Sequence, residues 1–317
     1  MWFGRLASNQ GHVLGGFLTS SNREMSMGIG YVLLATVGWS LSGLFVRLMP
    51  TLDGWQINCW RGFWMSCALA IYLILRHGHN LWPVIFAVPL FATLASALCF
   101  ATGTTVYVTS LTMTSTATVS VIGATSPLVT GLLSPWITNE RPGVWAWLAA
   151  VIALSGMSVI AWNGFGQGTM MGMLLSFGVP LTFAGQTLML RRYRAFDMMP
   201  SICLGGIISF AIAGGAGFLF GHHQSALDVN PHDFGLLMLM GPLQLAIPLV
   251  LYGFGAKLVS AFTLSLIAML DAVINPFWPW FFRGEIPGPL EVIGGMVILI
   301  AVVIYVVGTH FEKPVPK

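Results

Sequence analysis

A shift of 145 positions lays Tyr107 on Tyr252, Ser115 on Ser260, Thr118 on Thr263, Ser120 on Ser265, Ile122 on Ile267, Glu140 on Glu285 and Pro142 on Pro287. The chain is written twice. Each copy is made of apolar runs near the ~20 residues that a helix needs to cross the hydrocarbon core. With 56% hydrophobic and 7% charged residues in 317, it cannot cover a soluble globule, whose usual charged share is about 25%. It belongs in a bilayer.

The apolar runs predict ten helices, at approximately 27–49, 56–75, 89–108, 112–133, 143–162, 169–190, 198–220, 234–254, 258–281 and 289–307. Residues 109–118 are polar but uncharged, and a tight turn is expected there. Five spans per copy is an odd number, so the second copy lies upside down relative to the first. The expected fold is an all-α integral membrane protein of ten transmembrane helices in two inverted five-helix repeats. Its parts are a tail at 1–26, a first repeat at 27–162, a short Gly-rich linker at 163–168, a second repeat at 169–308 and a tail at 309–317.

Lys and Arg report the orientation. One set of alternate loops and tails holds Arg5, Arg23, Arg76, Arg141, Arg191, Arg192, Arg194, Lys257, Lys313 and Lys317, whereas the other side keeps Arg47 and Arg283. The positive-inside rule places both termini in the cytoplasm, with Arg191-Arg192-Tyr193-Arg194 as the strongest anchor. A bacterial inner membrane is the expected location. The loop after the second span carries Arg76, whereas its equivalent at 221–233 has three His, two Asp and no Lys or Arg, as inversion requires. The first 26 residues lack the apolar core of a signal peptide. Cys59, Cys67, Cys99 and Cys203 lie in apolar runs without the spacing of a metal or redox motif.

The segment GWSLSG at 38–43, Arg61 in the second span, and TSTATVSVIGATSPLVTGLLSPWITNERP at 114–142 give a chain that resembles the drug/metabolite transporter superfamily, EamA type, over roughly 27–307. The resemblance implies a ten-helix bundle around a central cavity, lined mainly by the first, third and fourth helices and their mates, the sixth, eighth and ninth. The second copy departs from the pattern: Ala272 stands where Pro127 predicts proline, and Pro276 follows four residues later.

Asp271 is the leading candidate for function. It falls near mid-membrane in the ninth span, where burying a carboxylate costs roughly 2.5–3.5 kcal/mol on insertion scales. It should therefore meet a wet cavity, a substrate cation, a proton or an Arg partner. Asn275 lies one turn further along the same face. Arg61 is about six residues into the second span, ~9 Å deep, with substrate contact, outward snorkelling, or pairing to Asp53 or Asp271 as its open alternatives. Trp39, Ser42, Thr104, Tyr107, Thr125, Gln186, Gln244 and Tyr252 supply further polar groups near the centre. Some of them must satisfy one another, since lipid offers no partners. Trp278 and Trp280 sit where an aromatic belt would anchor the ninth span, and Glu140 and Glu285 are expected to cap helices.

An inverted repeat in a membrane builds two gates around one site. The expected function is a secondary transporter, an exporter of a small organic metabolite such as an amino acid or other zwitterionic or amphipathic solute, coupled to protons or working by exchange. Nucleotide-sugar or cationic-drug transport on the same fold is the alternative, although a diphosphate would favour several cavity cations. A membrane-embedded enzyme is the competing class. Against it, all seven His fall in tails or loops, with no HExxH or paired-carboxylate motif, and no GxxxxGK[ST] nucleotide loop is present. No catalytic residue, metal or cofactor is expected. The expected partners are a small-molecule substrate, protons and membrane lipid, with no nucleic acid; monomer and homodimer both stay open.

Overall fold

The computed structural model describes residues 23–162, 164, 168–220, 227–284 and 288–311. Glu285, Pro287, the His222–His223 pair and most of both tails lie outside them. Ten spans follow in chain order: α1 (Arg23–Leu48), α2 (Gly54–His77), α3 (Leu90–Met113), α4 (Thr116–Ile137), α5 (Val144–Ile160), α6 (Met170–Arg192), α7 (Met199–Phe220), α8 (Pro231–Leu258), α9 (Ala261–Ala268, Asp271–Ile274 and Phe277–Arg283) and α10 (Pro289–Phe311). Among the described residues, eight are long and apolar enough to cross a membrane; α5 and the first part of α9 are shorter apolar helices. This is a multi-pass membrane protein.

The repeat is visible in helix ends. The Ser115 hydroxyl accepts from the Thr118 backbone N–H at the start of α4, and Ser260 accepts from Thr263 at the start of α9. Each is an N-cap that satisfies an orphan donor. The helical segments that follow, Thr116–Gly123 and Ala261–Ala268, keep the 145-residue register at both ends. Both then break, and the next segments open on Ser126 and Asp271, again in register. The break therefore comes ahead of Pro127, which is accommodated in the first turn of the new segment. This is why Ala272 can replace it in the second copy. Pro276, lacking an N–H, accompanies a second break in α9.

The polar stretch at 109–118 does not shorten α3. That helix continues to Met113, because Thr109 returns its hydroxyl to the Thr105 carbonyl at 2.9 Å; only Thr114 and Ser115 separate it from α4. Helix α2 starts from a reciprocal capping box, Asp53 with Gln56. An additional short helix, Leu81–Ala87, precedes α3 and exposes Trp82 and Phe86, stacked at 6.1 Å.

Large apolar side chains such as Leu75, Trp136 and Val144 face outward, while the interior is rich in small and hydroxylic residues, Thr36, Ser40, Ser66 and Thr130 among them. In lipid there is little hydrophobic drive between helices, so close packing holds them. Helix α5 crosses α10 with backbones nearly touching: a Cβ at Gly156 would lie 2.7 Å from the Gly294 carbonyl oxygen, and one at Gly294 would overlap that of Gly156. Helices α2 and α7 approach in the same way through Gly62 and Gly206.

Candidate substrate site

Three candidate residues on three spans come together. The Tyr107 phenol on α3 is within electrostatic reach of both Arg61 on α2 and Asp271 on α9. All three are surrounded by protein on their inner helix faces, yet Arg61 and Asp271 are only half-buried and Tyr107 is 37% exposed. Ionisable side chains within membrane spans face the bundle interior or a wet cavity rather than lipid.

The two charges do not neutralise each other. Among the described residues Arg61 donates from Nη2 to Asn58 Oδ1 at 2.9 Å, and its Nε is buried without a partner. Asp271 Oδ1 is likewise buried without a partner. Asp53, a possible mate for Arg61, is instead engaged in the cap of α2. Asn275 lies against Gly43 of α1, where a Cβ would overlap its Oδ1. Ser42 and Thr125 are half-buried at the breaks of α1 and α4, with the Thr125 hydroxyl on the Ile122 carbonyl at 2.6 Å. Thr104 shares a hydrogen bond with Ser209 of α7 at 2.9 Å.

The remaining candidates are used in packing. Gln186 is buried and makes a two-way contact with Ser96, at 3.0 and 3.2 Å. Gln244 is buried in a π-helical turn, Gly241–Ala246, flanked by Pro242 and Pro248; its amide donates to the Trp39 carbonyl at 3.4 Å and its Oε1 is unpartnered. π-Turns of this kind are frequent at functional sites. Trp278 donates from Nε1 to Ser40 Oγ at 2.8 Å, which ties α9 to α1.

Tyr252 occupies the repeat position of Tyr107 but not its environment. It is 2% exposed, bonds Thr187 of α6 at 2.9 Å, and packs on Trp39 and Phe183 with ring centroids 5.0 and 6.2 Å away. One helical turn further along, Arg191 donates to the Ala256 carbonyl at 3.0 Å. Arg191 also donates to Glu140 at 2.6 Å, and the other Glu140 oxygen accepts from the Ala261 backbone N–H at 3.0 Å. Glu140 therefore caps α9 of the opposite repeat, not the helix that follows it. Tyr252 is enclosed, whereas Tyr107 is 37% exposed.

Asn58 and Ser209 were not anticipated from the sequence, although Asn58 and Arg61, three apart on a helix, share a face.

A solved crystal structure superposes on this chain with a TM-score of 0.76, covering 91% of this chain and 99% of the other at 15% identity, a likeness of fold. The uncharacterized transporter YdfC of Bacillus subtilis (strain 168) is 25% identical over 186 residues, 56% of this chain and 58% of that protein, so the match spans rather more than half of the relative's length. The model of the EamA-like transporter family matches twice, over residues 26–162 and 170–307. With nearly all of both five-helix halves covered, the chain belongs to the EamA-like transporter family.

Proposed function

We propose that this protein is a secondary active exporter of a small zwitterionic organic solute, an amino acid or related amphipathic metabolite, in a bacterial cytoplasmic membrane with both termini inside. The carrying observation is the pair Arg61 and Asp271: opposite charges both within electrostatic reach of Tyr107, each with a buried atom lacking a partner and no ion pair between them. A carboxylate on Arg61 and an amine on Asp271 would satisfy both. Between loads, a proton takes the place of the amine on Asp271, which supplies the coupling; exchange of one solute for another serves the same end. A nucleotide sugar is disfavoured because a diphosphate would favour several cations, and Arg61 is the cation that acts on Tyr107.

Alternating access follows from the repeat. Trp39 belongs to the first repeat and Phe183 to the second. They pack on each other at 6.3 Å and both pack on Tyr252. On this reading, opening of that cluster exposes Tyr252 as its repeat mate Tyr107 is covered. With the basic end, Arg191 and Lys257, taken as cytoplasmic, the enclosed Tyr252 faces inward and the more exposed Tyr107 outward.

A thermal-shift comparison of purified protein with L-leucine, 3-methylbutylamine, 4-methylpentanoate and a nucleotide sugar tests the reading, because a ligand selective for the native state raises apparent stability. L-Leucine should stabilise most, and Arg61→Ala or Asp271→Asn should remove the effect. Stabilisation by the nucleotide sugar alone, or by none of the four, would overturn the zwitterion assignment.

A further inference from the structure

A chain of hydrogen bonds runs behind Arg61, and the guanidinium, a donor only, orients it. Thr104 on α3 lies 3.0 Å from the Ala101 carbonyl and 3.2 Å from that of Phe100. Thr104 and Ser209 share a 2.9 Å hydrogen bond, in which Ser209 donates when the Thr104 proton is on the backbone. The Ser209 oxygen accepts from the Asn58 amide at 3.4 Å, which turns the Asn58 carbonyl toward Arg61. The flipped amide would set N–H groups against the guanidinium, donor against donor. Asn58 and Ser209 are each 1% exposed, so water cannot substitute, and the chain ties α2, α7 and α3 together behind the cation.

The chemistry of position 58 sets the charge of the site. An amide oxygen can hold one guanidinium N–H while leaving the positive charge uncompensated. A carboxylate of the same size would hold it too, but as an ion pair. Resting on the zwitterion reading above, we infer that Asn58 is a positioning and specificity-determining residue: it fixes the Arg61 guanidinium in the cavity wall and, being neutral, leaves it charged for the carboxylate of the substrate. Ser209 and Thr104 hold Asn58 in the one amide orientation that does this.

The test compares Asn58→Asp, Asn58→Ala and Ser209→Ala with the parent, in the full-length purified protein, using L-leucine, 4-methylpentanoate and 3-methylbutylamine as probes. Asn58→Asp should weaken the two carboxylates about tenfold or more, the factor for a lost charge-assisted hydrogen bond, and leave the amine unchanged. Asn58→Ala and Ser209→Ala should weaken the carboxylates by less, again sparing the amine. Equal weakening of all three probes, or of none, would overturn the assignment. A second measurement needs no ligand: melting of Asn58→Asp in the Arg61 and Arg61→Met backgrounds. The acid should cost several degrees less with Arg61 present. Equal costs would show that Asn58 does not hold Arg61. Strong coupling without binding of any probe by the parent would sink the zwitterion reading while sparing the Asn58–Arg61 contact. Should Asn58→Asp fail to fold with Arg61 present, the inference is refuted outright, since the pair should tolerate it.

Discussion

The hydroxyl of Tyr252 should decide how long the Tyr252 end stays shut. Tyr252→Phe removes the 2.9 Å bond to Thr187 and leaves the ring on Trp39 and Phe183. A buried neutral hydrogen bond is worth about 1 kcal/mol net. Thr187 is fully buried but helical, so its hydroxyl can fall back on its own helix's carbonyls, which argues against a larger value. When that end opens, Tyr252 meets water and the phenol loses nothing. The difference therefore falls on the closed state alone, and about 1 kcal/mol corresponds to roughly a fivefold rise in the population open at that end.

The reporter is a cysteine at Ala256, 1% exposed and one turn from Tyr252 on the same helix face, in a background whose four native cysteines are replaced. Inside-out vesicles treated with a membrane-impermeant maleimide should label Ala256→Cys about fivefold faster when Tyr252→Phe is added, because reaction goes through the minor open state. Tyr107→Phe should not speed it, since Tyr107 makes no hydrogen bond among the described residues. An unchanged rate in well-folded Tyr252→Phe would refute the reasoning, as would an equal rise from Tyr107→Phe.

Asp271→Asn should abolish the pH dependence of transport in proteoliposomes while leaving the melting temperature near that of the parent; parent-like pH dependence would remove the proton role. Glu140→Gln should cost about 1 kcal/mol of stability, the part-buried ion pair with Arg191 being lost, and should speed labelling of Ala256→Cys. Gly294→Val should cost about 1–3 kcal/mol by overpacking against the Gly156 carbonyl and reduce the monodisperse fraction in size-exclusion chromatography. Gly30→Ala, with open space around it, should not.

The doubled architecture was legible because its markers are caps with strict chemistry: Ser115 and Ser260 each need a hydroxyl to hold the N–H three residues on. The helix breaks were less legible. The pair shared by the two repeats falls at Ala124–Thr125 and Met269–Leu270, which are themselves neither proline nor glycine, whereas the second break in α9 is marked by Pro276. Thr109 misled in the other direction, since a threonine that bonds its own helix reads as polar yet ends nothing. Arg61 and Asp271 stood out as isolated charges in apolar runs, and Tyr107 by its pairing with Tyr252 under the repeat. Which of the polar groups would be spent on partners did not, because Gln186 with Ser96 and Asn58 with Ser209 are meetings between helices 90 and 151 residues apart.

The asymmetry between the two tyrosines belongs to this conformer rather than to the repeat. In the 145-residue register that pairs Tyr107 with Tyr252, Thr187 is paired with Ser42, so the first repeat also carries a hydroxyl at the matching position. On the proposed cycle the exchanged state would offer Tyr107 the Ser42 hydroxyl as this one offers Tyr252 that of Thr187, and the two closed ends would differ by less than one hydrogen bond, ~1 kcal/mol. A difference that small is within reach of substrate or proton binding at Arg61 and Asp271.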